Sequence, residues 1–470
     1  MFYLRERKFI VVLILMPLFF IGASIVFANQ NERRLQEDKR VLLDAASSKT
    51  IYETPRVLME YGGWLNYQFI DYNDYDNEAS VADGLNYVHS ADLRFWLKAT
   101  LMPSVDADHD REHMLYLRFK DVYVERRGTD PGEAFDQDGP HLDSAYLRSQ
   151  VDPFRLEVGR RYFNMGKGIA YSNVNDGVQL NFLQPGWNVG LLAAHTLPHQ
   201  DNVDTSVPGY DKNADRYFYG LGVGLAKIKN HQLYSYFLVQ RDESNQRPQA
   251  VNQSYQYNCE YSGLGMKGQI NSAWNYWIEV IKETGTSRIF GSNEKKNIEA
   301  WALDAEMTVE PKWSMNPRFT FEYAFGSGDA DRVSVTDTEF GNTRGDDENF
   351  LYFGYLSTGY ALAPRLSNLH MVHCGLKVNP LEKRRKLRNL LVGLDYYRFY
   401  KHRKAGGISD SEATVSSEYI GSEMDLTFEW PLLSDLELNV EVGHFMPGDA
   451  YAGSANSNEN FLLVSLIHTF

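Results

Sequence analysis

The chain reads as all-β: a transmembrane antiparallel β-barrel of about 18 strands, with short periplasmic turns and long extracellular loops. Three observations predict it. Short segments alternate apolar and polar residues at period two along most of the 470 residues, with charges on the polar face. The N-terminus has the layout of a secretory signal. The C-terminal segment "FLLVSLIHTF" alternates up to a final aromatic, Phe470.

The N-terminal segment comes first. "MFYLRERK" is basic, "FIVVLILMPLFFIGASIV" is apolar, and Val26 and Ala28 are small residues before a cleavage point. This predicts a signal peptide over residues 1–28, a periplasmic segment over 29–58 and the barrel over 59–470. A retained anchor helix is the alternative for the apolar run. No other run reaches the ~18 apolar residues of a spanning helix.

Composition fits an exported barrel. Net charge is −15, 43% of residues are hydrophobic and 14% aromatic, including 30 Tyr and 26 Phe, and mean hydropathy is only −0.43. The two cysteines, Cys259 and Cys374, make no disulfide framework and are expected to be buried or lipid-facing.

Individual strands carry the pattern. "ADLRFWLKA" separates Leu93, Phe95 and Leu97 from Asp92, Arg94, Trp96 and Lys98. "LYLRFK" separates Leu115, Leu117 and Phe119 from Tyr116, Arg118 and Lys120. "PRFTFEYAF", "EMDLTFEW" and "LELNVEVG" repeat it with Arg318 and Glu322, with Glu423 and Asp425, and with Asn439 and Glu441 on the polar face. Tyr, Phe and Trp crowd strand ends ("YGGW", "RYFYG", "DYYRFY", "EWP"), as interfacial girdles require. Lipid offers the backbone no hydrogen bonds, so strands that span it must close into a barrel. Tight turns are expected at Pro185-Gly186, Lys229-Asn230 and Asn271-Ser272. Polar stretches at 71–83, 127–140, 199–215, 242–254, 326–348, 405–417 and 447–459 are expected as external loops.

Several blocks resemble the alginate export outer-membrane porin family. "YIGSEMDLTF" has its G-x-E-x-D-L pattern, and "GHFMPGDAYAG" its F-x-P-G-D-A-Y loop entry before the closing strand. "RLSNL", "FGNTR", the hairpin "AWALDAEMTVEPKWSMNPRFTFEYAFGSG", "ADLRFW" and "LEVGRRYFNMGKG" add to it. The resemblance implies a monomeric 18-stranded barrel in the bacterial outer membrane. It would pass an acidic exopolysaccharide outward through a constriction lined by basic residues, with loops or turns as gates. Arg94 falls on a family pore arginine and Arg160 keeps the arginine of its segment. Tyr162 replaces an often basic residue, Asp143 stands where the family has arginine, and Asn439 and Glu441 replace two more.

Sorting the inward face predicts a basic wall (Arg94, Lys98, Arg118, Lys120, with Asp92 the exception) facing or adjoining an acidic one (Asp304, Glu306, Glu322, Asp395, Glu423, Asp425, Glu437, Glu441, with Arg318 the exception), the alternative for any one charge being a place at a pore mouth or in a structural ion pair. A transverse field between such walls favours polar or zwitterionic solutes and sugars over strongly anionic chains. Trp96, Tyr116 and Tyr397 are candidates for stacking on sugar rings. The pore and substrate set is therefore Arg94, Trp96, Lys98, Tyr116, Arg118, Lys120, Arg160, Asp304, Glu423, Asp425, Asn439 and Glu441.

Partners follow from location: a polysaccharide, outer-membrane lipids and lipopolysaccharide, the assembly machinery through Phe470, and a periplasmic scaffold of an export complex. Nucleic acid is excluded for an exported chain. The basic run "EKRRKLR" at 382–388 is expected on lipid-headgroup or lipopolysaccharide phosphates. Asp329 and Asp331 in "GSGDAD" are a weak calcium candidate that lacks full loop spacing. No cofactor motif and no recognisable nucleophile–base arrangement occurs, which favours a channel over a barrel enzyme or an adhesin. An uptake porin for small polar solutes stays open as the alternative to polysaccharide export.

Overall fold

A computed structural model describes residues 37–72, 86–101, 111–127, 134–197, 215–243, 257–289, 292, 294–332, 335 and 342–470. The signal segment lies outside these residues, as do most of the loops expected at 71–83, 199–215 and 242–254.

One helix, α1 (Glu37–Ala46), and a short strand, β1 (Lys49–Glu53), precede the barrel. The barrel strands are β2 (Val57–Tyr72), β3 (Asn86–Leu101), β4 (Arg111–Arg127), β5 (Ala134–Val151), β6 (Phe154–Met165), β7 (Tyr171–Gln184), β8 (Trp187–His195), β9 (Arg216–Ile228) and β10 (His231–Asp242). They continue as β11 (Asn258–Asn271), β12 (Trp274–Arg288), β13 (Lys295–Val309), β14 (Arg318–Gly326), β15 (Leu369–Val378), β16 (Leu391–Lys401), β17 (Tyr419–Pro431), β18 (Leu436–Pro447) and β19 (Glu459–Thr469). Each pairs antiparallel with the next, and β19 returns to β2 with Phe461 opposite Tyr72 and Thr469 opposite Trp64. The 18 strands β2–β19 thus close on themselves and leave no edge to be hydrogen-bonded by lipid.

Two-residue connections at Pro185-Gly186, Lys229-Asn230 and Ser272-Ala273 lie at the end that holds Phe470, which is the periplasmic end. The longest connections, 73–85, 196–215, 243–257, 327–368 and 402–418, lie at the other end. The stretch expected as a loop at 127–140 is partly strand, because β5 begins at Ala134. Pro140 falls where the β4–β5 register shifts, a bulge that asks no N–H of it.

Alternation sets the two surfaces. Leu93, Phe95, Leu115, Phe119, Phe321 and Met424 are exposed outward, where hydrocarbon lies. Their neighbours Arg94, Trp96, Arg118, Glu423 and Asp425 are buried inside. Cys374 is on the outward face and Cys259 is buried inward; both are free thiols.

Closure is tight at the periplasmic rim. The Phe470 N–H donates to the Gly63 carbonyl at 2.8 Å, and the Gly63 N–H donates back at 3.0 Å. Below this pair, β1 takes over the free edge of β2, with Lys49 opposite Tyr61. The Phe470 ring lies over Gly63, where an ideal Cβ would stand 2.5 Å from the ring carbon Cε2. Glycine here makes room for the terminal aromatic. Gly63→Val is expected to destabilise the barrel by about 1–3 kcal/mol through overpacking. A lower urea midpoint of the folded, heat-modifiable form checks this; an unchanged midpoint means that the ring seat is not needed.

Candidate functional site: a lumen answered charge by charge

The basic residues expected on β3 and β4 do face the lumen, but none offers a free charge. Arg94 donates from Nε to Asp92 Oδ1 at 2.8 Å and from Nη1 to Asp143. Arg118 donates from Nε to the same Asp143 oxygen at 2.6 Å and from Nη1 to Asp44 Oδ2 at 2.9 Å. Lys98 pairs with Glu60 at 2.6 Å, Lys120 with Asp138, and Arg160 with Asp176 at 2.9 Å. The basic wall expected from the alternation is in place, and its charges are paired: carboxylates on the same and neighbouring strands and on α1 neutralise it. Asp143 is the pivot. At a position where the sequence resemblance would have a third cation, it bridges two guanidiniums.

The helix α1 covers this wall. Its Asp44 accepts hydrogen bonds from Trp64 Nε1 at 3.0 Å, from the Tyr116 hydroxyl and from Arg118. Ser47, just past the helix, accepts from Trp96 Nε1 at 3.0 Å. Leu43 packs on Trp64 and Ile467. Trp96 and Tyr116 stack on each other, with centroids 6.1 Å apart and rings inclined by 21°. Trp96, 2% exposed, has no face open to a sugar. Both rings hold α1 instead of forming a platform. Tyr397 is likewise occupied, stacked on His373 at 4.3 Å.

The acidic wall is compensated differently, by segments that fold inward. The β6–β7 connection, residues 166–170, crosses the lumen. Its Lys167 ammonium meets Asp304, Glu306 (2.8 Å) and Glu322 (3.4 Å) on β13 and β14. The Lys167 backbone N–H donates to Glu279 Oε2 of β12 at 2.6 Å, and Glu279 also accepts from Tyr234 at 2.6 Å and Tyr236 at 3.0 Å. His373 bridges Glu322 (3.2 Å) and Asp395 (2.8 Å).

The β14–β15 connection, residues 327–368, is the second inward segment. It was expected to be external and to end near 348; its second half lies inside the barrel. The Leu351 N–H donates to Glu283 Oε2 at 2.9 Å. The N–H groups of Tyr360, Ala361 and Leu362 converge on Glu423 of β17 at 2.5, 2.7 and 3.0 Å. Gly359 precedes this nest at φ +109°, and a Cβ there would lie 2.5 Å from Glu423 Oε1. A side chain at 359 would thus collide with the anchor. The two segments pair with each other: Phe353 N–H donates to the Ala170 carbonyl at 3.0 Å and Tyr355 N–H to that of Gly168 at 3.1 Å. Around them Ile169, Tyr171, Phe350, Leu351 and Leu366 are buried in one apolar cluster.

This explains an oddity of the last strand. Its lumenal residues Phe461, Leu463 and Ile467 are apolar because Tyr360 and Ala361 cover the first two and Leu43 the third. The remaining expected pore residues keep lumenal positions: Asp425 and Asn439 are buried, and Glu441 is half-buried. Asp329 accepts backbone N–H bonds from Asp331 and Glu348, both at 3.1 Å, so its carboxylate shapes the loop. Among the described residues no cluster of three His, Cys, Asp or Glu side chains with metal-site geometry includes Asp329 or Asp331. The basic run at 382–388 lies in the β15–β16 connection, at the periplasmic end. Contact with lipopolysaccharide, a component of the outer leaflet, is corrected accordingly.

Sequence reasoning missed Asp44, Lys167, Glu279 and Glu283. It also missed Trp277 and Lys267 on the wall opposite α1. The visible signal was the apolar lumenal face of β19, which only a covering segment can explain.

The profile of the alginate export family matches residues 68–465. The chain belongs to the alginate export family. This membership and the closed barrel make it a channel of the bacterial outer membrane. No curated protein matches the sequence. Among solved structures, Acinetobacter baumannii OccAB4 is similar with a TM-score of 0.53 at 15% identity, over 88% of this chain and 98% of that one. Pseudomonas aeruginosa OpdQ gives 0.52 at 10% identity over 88% and 98%, and P. aeruginosa OccK5 (OpdH) gives 0.52 at 11% over 87% and 98%. At such identities the likeness is one of fold.

Two substitutions test this geometry. Asp143→Ala leaves two buried guanidiniums short of a partner and is expected to cost about 3–5 kcal/mol. It should also move the reversal potential in a KCl gradient toward chloride. Glu423→Ala removes the acceptor of three N–H groups, so single-channel conductance and current noise should rise as the inward segment loosens.

Proposed function

We propose that the channel passively passes an exopolysaccharide outward across the outer membrane, alginate or a related polymer of lower anionic charge. The family match supports the polysaccharide. The single observation that carries the lower charge is Asp143 between Arg94 and Arg118: a lumen whose arginines are already paired gives a strongly anionic chain no ladder of free cations. The inward segments and α1 occupy part of the lumen and so narrow it, and the polymer requires them to yield. Fold and family are those of a channel, and no catalytic step is part of this reading.

A second reading, uptake of small polar solutes, draws on the same narrowness. Planar-bilayer recording separates the two. Weak ion selectivity is expected, together with transient blockade by hexasaccharides and a larger conductance when residues 37–47 are deleted. Strong anion selectivity contradicts the low-charge polymer. Free conduction of monosaccharides without any oligosaccharide blockade favours uptake.

A further inference from the structure

On the wall opposite α1, strands β11–β13 frame a cavity of about 450 Å³ lined by Lys267, Gln269, Asn275, Trp277, Glu306 and Thr308. It opens beside Asn230 of the β9–β10 turn, which places it toward the periplasmic end. Strand register orders its wall. Lys267 stands opposite Trp277, and Trp277 opposite Glu306. One step toward the periplasm, Gln269 stands opposite Asn275 and Asn275 opposite Thr308. The upper row is thus cation, indole, carboxylate; the lower row is amide, amide, hydroxyl.

The indole is held in place. Trp277 Nε1 donates to the Tyr234 hydroxyl at 2.6 Å, and Tyr234 donates to Glu279 at 2.6 Å, the carboxylate that also anchors Lys167. Two ammoniums lie over the Trp277 ring, Lys267 Nζ 4.4 Å and Lys167 Nζ 5.7 Å from its centroid, and of these Lys267 forms no ion pair among the described residues. Lys267 differs in this from Arg94, Lys98, Arg118, Lys120 and Lys167, each answered by a carboxylate.

The geometry points to a sugar-binding subsite here: a pyranose unit of the polymer displaces the Lys267 ammonium from the Trp277 ring, sets its C–H face there, its hydroxyls on Gln269, Asn275 and Thr308, and takes the displaced Lys267 on its exocyclic hydroxyl or carboxylate. An indole face buries the apolar side of a sugar ring. Side-chain amides and a hydroxyl both donate and accept, as sugar hydroxyls do. A lysine without a carboxylate partner is available for a charge-assisted bond. The subsite rests on the polysaccharide reading above and adds where the chain is first gripped, on the periplasmic side of the Lys167 crossing.

The test is single-channel recording of the full-length barrel, with a hexuronate oligomer or maltohexaose added from the periplasmic side. Both should block the unaltered channel. Trp277→Ala should shorten the blocked time of both about tenfold, Trp277→Phe should restore most of it, and Lys267→Gln should shorten it for the hexuronate alone. Equal blocked times in Trp277→Ala and the unaltered protein overturn the subsite and leave the export reading standing. No blockade in the unaltered protein overturns both. Should Trp277→Ala fail to fold, Lys267→Gln and Asn275→Ala decide: blocked times equal to those of the unaltered channel overturn the proposal, and shorter ones support it.

Discussion

A carboxylate that faces a barrel lumen must be solvated, either by water or by the chain. In this barrel the chain does it. Glu279, Glu283 and Glu423 each accept backbone N–H groups from segments that fold in from the extracellular end. A charge left without partners in such a place costs several kcal/mol, while each hydrogen bond to a charged group returns about 1.5–3 kcal/mol. The acidic residues that look like a pore lining are therefore attachment points for what narrows the pore. The buried apolar cluster inside the barrel follows from that attachment. Leu351 and Leu362, tethered by their N–H groups, belong to the same buried cluster as Ile169 and Tyr171.

The opposite wall obeys the same rule with other parts. Two arginines share Asp143, and the remaining valences of Arg118, Tyr116 and Trp64 close on Asp44 of α1. The helix has ten residues, too few for stability alone, so its place depends on these contacts. A polymer exported as proposed would meet a covered arginine wall on one side and the Trp277 cavity on the other. The passage is thus biased toward hydrogen bonding and ring contact and away from bulk charge.

Much of the barrel was legible in the sequence, because alternation and lipid leave few solutions. Leu93 and Phe95 outward with Arg94 and Trp96 inward could be read directly, as could the closing strand that ends on Phe470. Alternation tells which face a residue takes; it does not tell what lies against that face. Lys167 meets Glu306 and Glu322 through a crossing of the lumen, and Asp44 reaches Arg118 from a helix 74 positions upstream. No local pattern encodes either. Phe461, Leu463 and Ile467 were the exception, since apolar residues on a wet face announce a cover. The resemblance to the family had the same limit: it marked Asp143 as a departure, and only the structure shows that this departure neutralises the two arginines beside it.

Lumenal carboxylates hold the inward segments by their backbone N–H groups. Hydrogen–deuterium exchange on the barrel in lipid nanodiscs addresses it directly at Leu351, Tyr360, Ala361 and Leu362. Protection comparable to that of the β17 strand amides is expected. Exchange at the rate of an open surface loop would contradict it.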